Sequence, residues 1–67
     1  MKEIANSIRK FRLERQMTQA QLANELGVQY QTISKWETET SVPDTAMLPK
    51  IADVLGTTID ELFGRNR

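Results

Sequence analysis

Apolar residues fall along this chain in five short groups at helical spacing, separated by residues that stop helices. Ile4, Ile8 and Phe11 stand at i, i+4 and i+7, which predicts a first amphipathic helix over residues 2 to 15, with Arg9, Lys10 and Arg12 on or beside its polar faces. Met17 closes the loop after it. Leu22, Ala23 and Leu26 mark one face of a second helix beginning at Gln19, while Gln19, Gln21, Asn24 and Glu25 fall on wet faces. Thr18 precedes that helix with a hydroxyl suited to accept from the free amides of its first turn. Gly27 follows Leu26 at the place where a left-handed residue ends a helix, so the chain turns sharply there. Val28 plugs the corner, and Ile33 and Trp36 mark the core face of a third helix over residues 29 to 37. Its other face carries Gln29, Tyr30, Gln31, Ser34 and Lys35.

The C-terminal half follows the same logic in shorter pieces. Thr38 to Pro43 is turn-like, and Asp44 is placed to cap what comes next. One regular helix capped by Asp44 would bury Pro49 too deep, deleting a bond and clashing with the carbonyl of residue 45. The economical solution is a short turn near residues 44 to 47, then a helix from Leu48 with Pro49 in its first turn and Leu48, Ile51, Ala52 and Leu55 facing the core. Gly56 ends that helix, Thr57 or Thr58 caps the last, and Ile59, Leu62 and Phe63 give it an apolar face before Gly64. With no internal repeat, low-complexity tract or linker, the expectation is a single all-α domain over residues 1 to 67.

Residues 18 to 37 thus read as two short helices joined by one tight turn, a helix-turn-helix, which is a DNA-reading unit. The segment TQAQLANELGVQYQTISKWE, with IRKFR upstream and VPD and KIADVLGTTIDELFG downstream, resembles the phage-repressor and Cro class of helix-turn-helix proteins, the XRE family. The resemblance implies a compact, lambda-repressor-like bundle of five short helices. Helices 2 and 3 would form the motif, with helix 3 entering the major groove.

The resemblance also implies roles for individual residues. Gln31 matches a position from which family members read bases, and its carboxamide can pair bidentately with adenine N6 and N7. Tyr30 is an aromatic on the polar face, expected at a base or a phosphate, with a partly buried surface tyrosine as the alternative. Gln29 stands where many members have a capping Ser or Thr, so a lost cap and a base contact are both open. Ser34 and Lys35 project one turn further, toward base edges and toward guanine or phosphate; a plain exposed helix face is the alternative. Trp36, by its spacing to Ile33, belongs to the core. Gln19 matches the family's phosphate-anchoring glutamine, beside helix-end amides that favour an anion. Arg12, Thr18 and Thr40 complete the expected phosphate contacts, and Arg12 with Glu37 is also expected as an ion pair joining helix 1 to the end of helix 3. Where many relatives have Gly then Lys after the recognition helix, this chain has Glu39 and Thr40, which removes a phosphate-binding cation and adds a repelling carboxylate.

Composition limits the chemistry further. The chain has 67 residues and neither Cys nor His, which excludes a disulfide scaffold and the usual zinc sites. It also lacks a phosphate-cradling Gly-rich loop, so an enzyme is not expected, nor is a cofactor. No apolar run approaches the roughly 20 residues that span a bilayer, and the N-terminus lacks a signal peptide's apolar core, from which a cytoplasmic location is expected. Nine basic and nine acidic side chains cancel, yet unevenly. Residues 1 to 36 carry Lys2, Arg9, Lys10, Arg12, Arg15 and Lys35 against Glu3, Glu14 and Glu25, for +3, and residues 37 to 67 balance at −3. Such a chain should bind DNA selectively rather than through bulk attraction to phosphate. The expected function is a transcriptional regulator, by default a repressor, dimeric on a palindromic double-stranded DNA operator, with Leu62 and Phe63 at the dimer interface. The alternative is an antitoxin or other regulator whose main partner is a protein.

Overall fold

The computed structural model describes residues 2–65, and within them the five apolar groups become five helices. These are α1 (Lys2–Glu14), α2 (Gln19–Leu26), α3 (Tyr30–Glu37), α4 (Leu48–Leu55) and α5 (Ile59–Leu62), with one 3₁₀ turn (Thr45–Met47) leading into α4. The protein is all-α. Pro49 sits in the first turn of α4, where its missing N–H deletes no helical bond. Asp44 accepts from the Ala46 amide and starts the 3₁₀ turn.

All five helices stop in the same way. In each, one amide bonds five residues back and the preceding amide three residues back, as in Met17 to Arg12 and Gln16 to Leu13, or Thr40 to Lys35 and Glu39 to Trp36. This is the Schellman arrangement, which requires a left-handed residue just past the helix. Those residues are Gln16, Gly27, Glu39, Gly56 and Gly64, the same five that have positive φ among the described residues. Three stops are glycines; Gln16 (φ 57°) and Glu39 (φ 65°) carry a Cβ and its steric cost. The stop at Gln16 also ends α1 at Glu14, one residue before the expected boundary.

Ile4 and Ile8 of α1, Leu22, Ala23 and Leu26 of α2, Ile33 and Trp36 of α3, Leu48, Ile51, Ala52 and Leu55 of α4, and Leu62 of α5 form one continuous core. Phe11, Met17, Val28 and Phe63 pack on its margin, half-buried. The expectation that Leu62 stands at a dimer interface is corrected here: it is 0% exposed, enclosed by its own domain, and has no surface left to offer a second copy. α5 has only four residues, and burial of Leu62, worth about 1.5–3 kcal/mol, is what ties so short a helix down. Ile59, on the outer side of the same helix, is 39% exposed.

Of the two candidate caps for α5, Thr58 occupies the capping position. It exchanges bonds with Glu61, its hydroxyl accepting from the Glu61 amide while Glu61 Oε1 accepts from the Thr58 amide. Thr57 donates its own hydroxyl to the same Glu61 oxygen. These donors, the Thr57 hydroxyl foremost and then the Thr58 amide, hold the Glu61 carboxyl below its ordinary value of 4.5.

Candidate nucleic-acid interface

α2 and α3 pack directly on each other through Leu22, Ala23, Leu26, Ile33 and Trp36, with Gly27 at the corner. The Gly27 φ of 74° lies in the region a Cβ disfavours, although a Cβ there would meet no neighbouring atom. The requirement is therefore one of backbone conformation alone. The turn swings α3 so that its apolar side faces inward and its polar side outward. Tyr30 (54% exposed), Gln31 and Lys35 are exposed, Ser34 and Thr32 are half-buried, and Ile33 and Trp36 are buried. Gln29 precedes the helix in extended conformation and makes no side-chain cap bond, so its exposed carboxamide is not used by the helix start.

α2 begins beside this face. Thr18 and Gln21 form a capping box: the Thr18 hydroxyl accepts from the Gln21 amide at 3.0 Å, and Gln21 Oε1 accepts from the Thr18 amide at 2.8 Å. The box uses the third amide of the helix and leaves the first two, on Gln19 and Ala20, without intrahelical acceptors. Those two amides are the helix-end groups suited to an anion.

One buried junction joins this start to α3 and α1. Glu37, 8% exposed, accepts from Arg12 Nε at 2.6 Å on Oε2 and from Arg12 Nη2 at 3.0 Å on Oε1. Gln19 Nε2 donates to Oε1 as well, at 3.1 Å. Arg12 Nη1 in turn donates to the Met17 carbonyl at 2.8 Å. Every guanidinium nitrogen and both carboxylate oxygens are thus hydrogen-bonded, and the bidentate geometry fixes the end of α3 against α1. The same geometry corrects one expectation. Arg12, 9% exposed with all three guanidinium nitrogens engaged inside the protein, is not available as a phosphate contact.

Beyond α3, the exposed Thr38 hydroxyl donates to the Ser34 carbonyl at 2.9 Å and lies 3.0 Å from that of Thr40. Thr40 is exposed and carries no charge to this loop, whereas the neighbouring Glu39 adds a negative one. Between Lys35 and Lys50 the sequence holds Glu37, Glu39 and Asp44 and no cation.

Sequence reasoning missed three elements of this neighbourhood. Arg12 pairs with Glu37 as the family resemblance implies, but its periodicity, on or beside a polar face, gives no sign that it is buried. The Met17 carbonyl as its acceptor left no trace in residue type. Arg15, whose Nε donates to the Leu55 carbonyl at 2.7 Å and whose guanidinium lies over Gly56, joins the end of α1 to the end of α4. A cation near a helix C-terminus is the only signal that could have suggested it, and the two partners are far apart in sequence.

A family model described as helix-turn-helix matches residues 8–62, so the chain belongs to that family, of the XRE type. Among curated proteins, it is 46% identical over 48 residues to the cryptic phage CTXphi transcriptional repressor RstR of Vibrio cholerae, across 72% of this chain and 43% of that protein. It is 35% identical over 63 residues to multiprotein-bridging factor 1c of Arabidopsis thaliana, across 94% of this chain and 43% of that protein. The chain therefore spans about two fifths of the length of these relatives. Among solved structures, the iron(II) form of HppE superimposes with a TM-score of 0.83 and 34% identity, over 91% of this chain and 32% of that one. HppE in complex with substrate matches equally well over 36% of its length. The likeness lies in the helical fold; this chain has no His or Cys with which to hold a metal. No helix among the described residues is long and apolar enough to cross a membrane.

Proposed function

We propose that the chain is a sequence-specific, double-stranded DNA-binding transcriptional regulator that works as a repressor by occupying an operator. The observation that carries this reading is the junction at Glu37, which holds an outward polar helix at a set angle beside two unpaired helix-start amides. α3 is eight residues, or about 12 Å, long, comparable with the width of the major groove. In this reading Gln31 reads adenine, with Gln29, Tyr30, Ser34 and Lys35 as its neighbours at base edges. Gln19, Thr18 and the α2 start face one phosphate, and Thr40 faces another. The likeness to a phage transcriptional repressor supports the same function.

A helix of this length reaches only a few base pairs, so useful specificity calls for two half-sites about one helical turn apart, and hence a homodimer. With Leu62 enclosed, the α5 surface left for a second copy is Ile59 with the edge of Phe63. So small a patch gives weak association that DNA strengthens. Selection from a random duplex pool, followed by sedimentation on the recovered duplex, tests both parts. A palindromic consensus with two protomers bound is expected. Recovery of no sequence preference would overturn the DNA reading, and one protomer at saturation on a two-half-site duplex would overturn the dimer.

A second reading is a module whose main partner is a protein. It is favoured by the match to a multiprotein-bridging factor over nearly the whole chain, and by the zero net charge. Binding to nonspecific duplex at low salt separates the two, because a DNA reader shows salt-sensitive affinity and a purely protein-directed module does not.

A further inference from the structure

Tyr30 is the one large aromatic side chain on the outward side of α3. It is 54% exposed, on the first residue of the helix, directly before Gln31 and after the uncapped Gln29. Its ring is not needed by the core, which Ile33 and Trp36 complete from the same helix. No side-chain hydrogen bond to another described residue orients its hydroxyl. Covering the exposed ring with an apolar group gains hydrophobic contact, and a DNA major groove offers one kind of apolar group: the C5-methyl of a pyrimidine. We propose that Tyr30 reads this methyl group, and that the methyl it touches is either that of the thymine paired with the adenine read by Gln31 or that of a C5-methylated pyrimidine one base pair away. That proximity follows from geometry. Tyr30 and Gln31 are the first two residues of α3, the end of a groove-bound recognition helix whose side chains contact base edges, and successive base pairs there are only about 3.4 Å apart.

The inference rests on the DNA-binding reading and adds to it a chemical demand that a polar helix face alone would not make. Thymine and 5-methylcytosine present the same methyl in the same groove, so either satisfies it. A protein that depends on this group is sensitive to thymine-to-uracil replacement, which keeps every base-pairing hydrogen bond. Where its site holds cytosine, it is sensitive to cytosine methylation.

The test uses the whole chain and the duplex recovered by selection, titrated by fluorescence anisotropy. Each thymine is replaced in turn by deoxyuridine, and each cytosine by 5-methylcytosine. At one position per half-site, loss of a thymine methyl is expected to weaken binding about fourfold, the transfer value of one buried methylene-sized group, or gain of a cytosine methyl to tighten it by a like factor. Tyr30→Phe keeps this sensitivity and Tyr30→Ala abolishes it, while both melt close to the wild type because the ring is exposed. The proposal is overturned if no pyrimidine within one step of that adenine responds, if Tyr30→Ala responds as the wild type does, or if Tyr30→Phe loses the effect, which would assign the contact to the hydroxyl. Failure to bind any duplex at all overturns the DNA reading and the methyl reading together. Sequence-specific binding without methyl sensitivity overturns the methyl reading alone.

Discussion

Glu39→Gly is expected to make the protein more stable and, in the same substitution, more attracted to DNA of any sequence. Glu39 is the left-handed residue that closes α3, with φ 65° and its amide bonded to the Trp36 carbonyl. A residue with a Cβ gives up about 1–2 kcal/mol in that conformation. Glycine's greater freedom in the unfolded chain offsets about 0.5–1 kcal/mol, leaving a net gain of about 0.5–1 kcal/mol. Removing a negative charge from the C-terminal end of α3 adds about 0.3–1 kcal/mol at low salt. In a chain of this size each kcal/mol moves the melting temperature by about 4–8 °C, so the gain is measurable by circular dichroism.

Two companions separate the causes. Glu39→Ala removes the charge and keeps the Cβ, so Glu39→Gly should melt higher than Glu39→Ala by the backbone contribution alone. Gln16→Gly relieves the equivalent strain at the end of α1 (φ 57°) without changing charge. On nonspecific duplex, both Glu39 variants should bind more tightly at low salt and Gln16→Gly should not. Adding Thr40→Lys should steepen the salt dependence by about one phosphate. A Glu39→Gly protein no more stable than Glu39→Ala would refute the left-handed closure of α3. An unchanged salt slope with Lys at position 40 would show that this loop does not approach the DNA backbone.

Glu37→Ala strands the buried Arg12 guanidinium and should cost about 3–5 kcal/mol by chemical denaturation, a large part of the stability of so small a domain; a loss under 1 kcal/mol would show that the pair is not buried in solution. Gln31→Ala should lose about 1–3 kcal/mol on the selected operator and relax preference at one base pair, while Gln19→Ala weakens all duplexes alike; equal effects on specific and random DNA would end that division of roles. Glu61, whose folded carboxyl is held below 4.5, contributes stability that is complete above the ordinary glutamate range and is lost as pH falls through the depressed value. Glu61→Gln should therefore flatten the acid limb of the melting profile, and parallel loss in both proteins below pH 4.5 would remove the capping carboxylate as its cause.

Helix existence and type were legible because every helix carries its own local evidence. Apolar spacing identified the core face of each, and Gly27, Gly56 and Gly64 announced three of the five stops. The other two stops fall on Gln16 and Glu39, whose residue types say nothing of a left-handed conformation. At Glu39, family resemblance supplied the hint by placing Gly there; at Gln16 no hint existed. The same locality explains the error at α5. Ile59, Leu62 and Phe63 form one apolar group in sequence, but periodicity does not say which member meets the rest of the core. The fold encloses Leu62 and leaves Ile59 outside.

The candidate site was legible in residue pattern wherever a side chain's role depends on its own helix; the one distant pairing foreseen, Arg12 with Glu37, came from family resemblance and is present, while nothing local announced its burial. The outward set on α3 follows from the positions of Ile33 and Trp36 alone. Arg12 reads locally as one more cation on a basic helix and becomes buried only because Glu37, 25 residues away, is brought to it. In the DNA-binding reading, that burial bears on how a protein with no net charge would select its site. A chain with zero net charge gains little from bulk attraction to phosphate, so in that reading binding depends on several contacts being met at once. Glu37 links the Gln19 carboxamide at the start of α2 with the last turn of α3 through a single carboxylate oxygen. In the DNA-binding reading, a phosphate seated at α2 therefore fixes the height and angle of α3 in the groove. A base sequence that shifts α3 from its preferred contacts then loses the phosphate contact too, and discrimination arises from rigidity where charge supplies little.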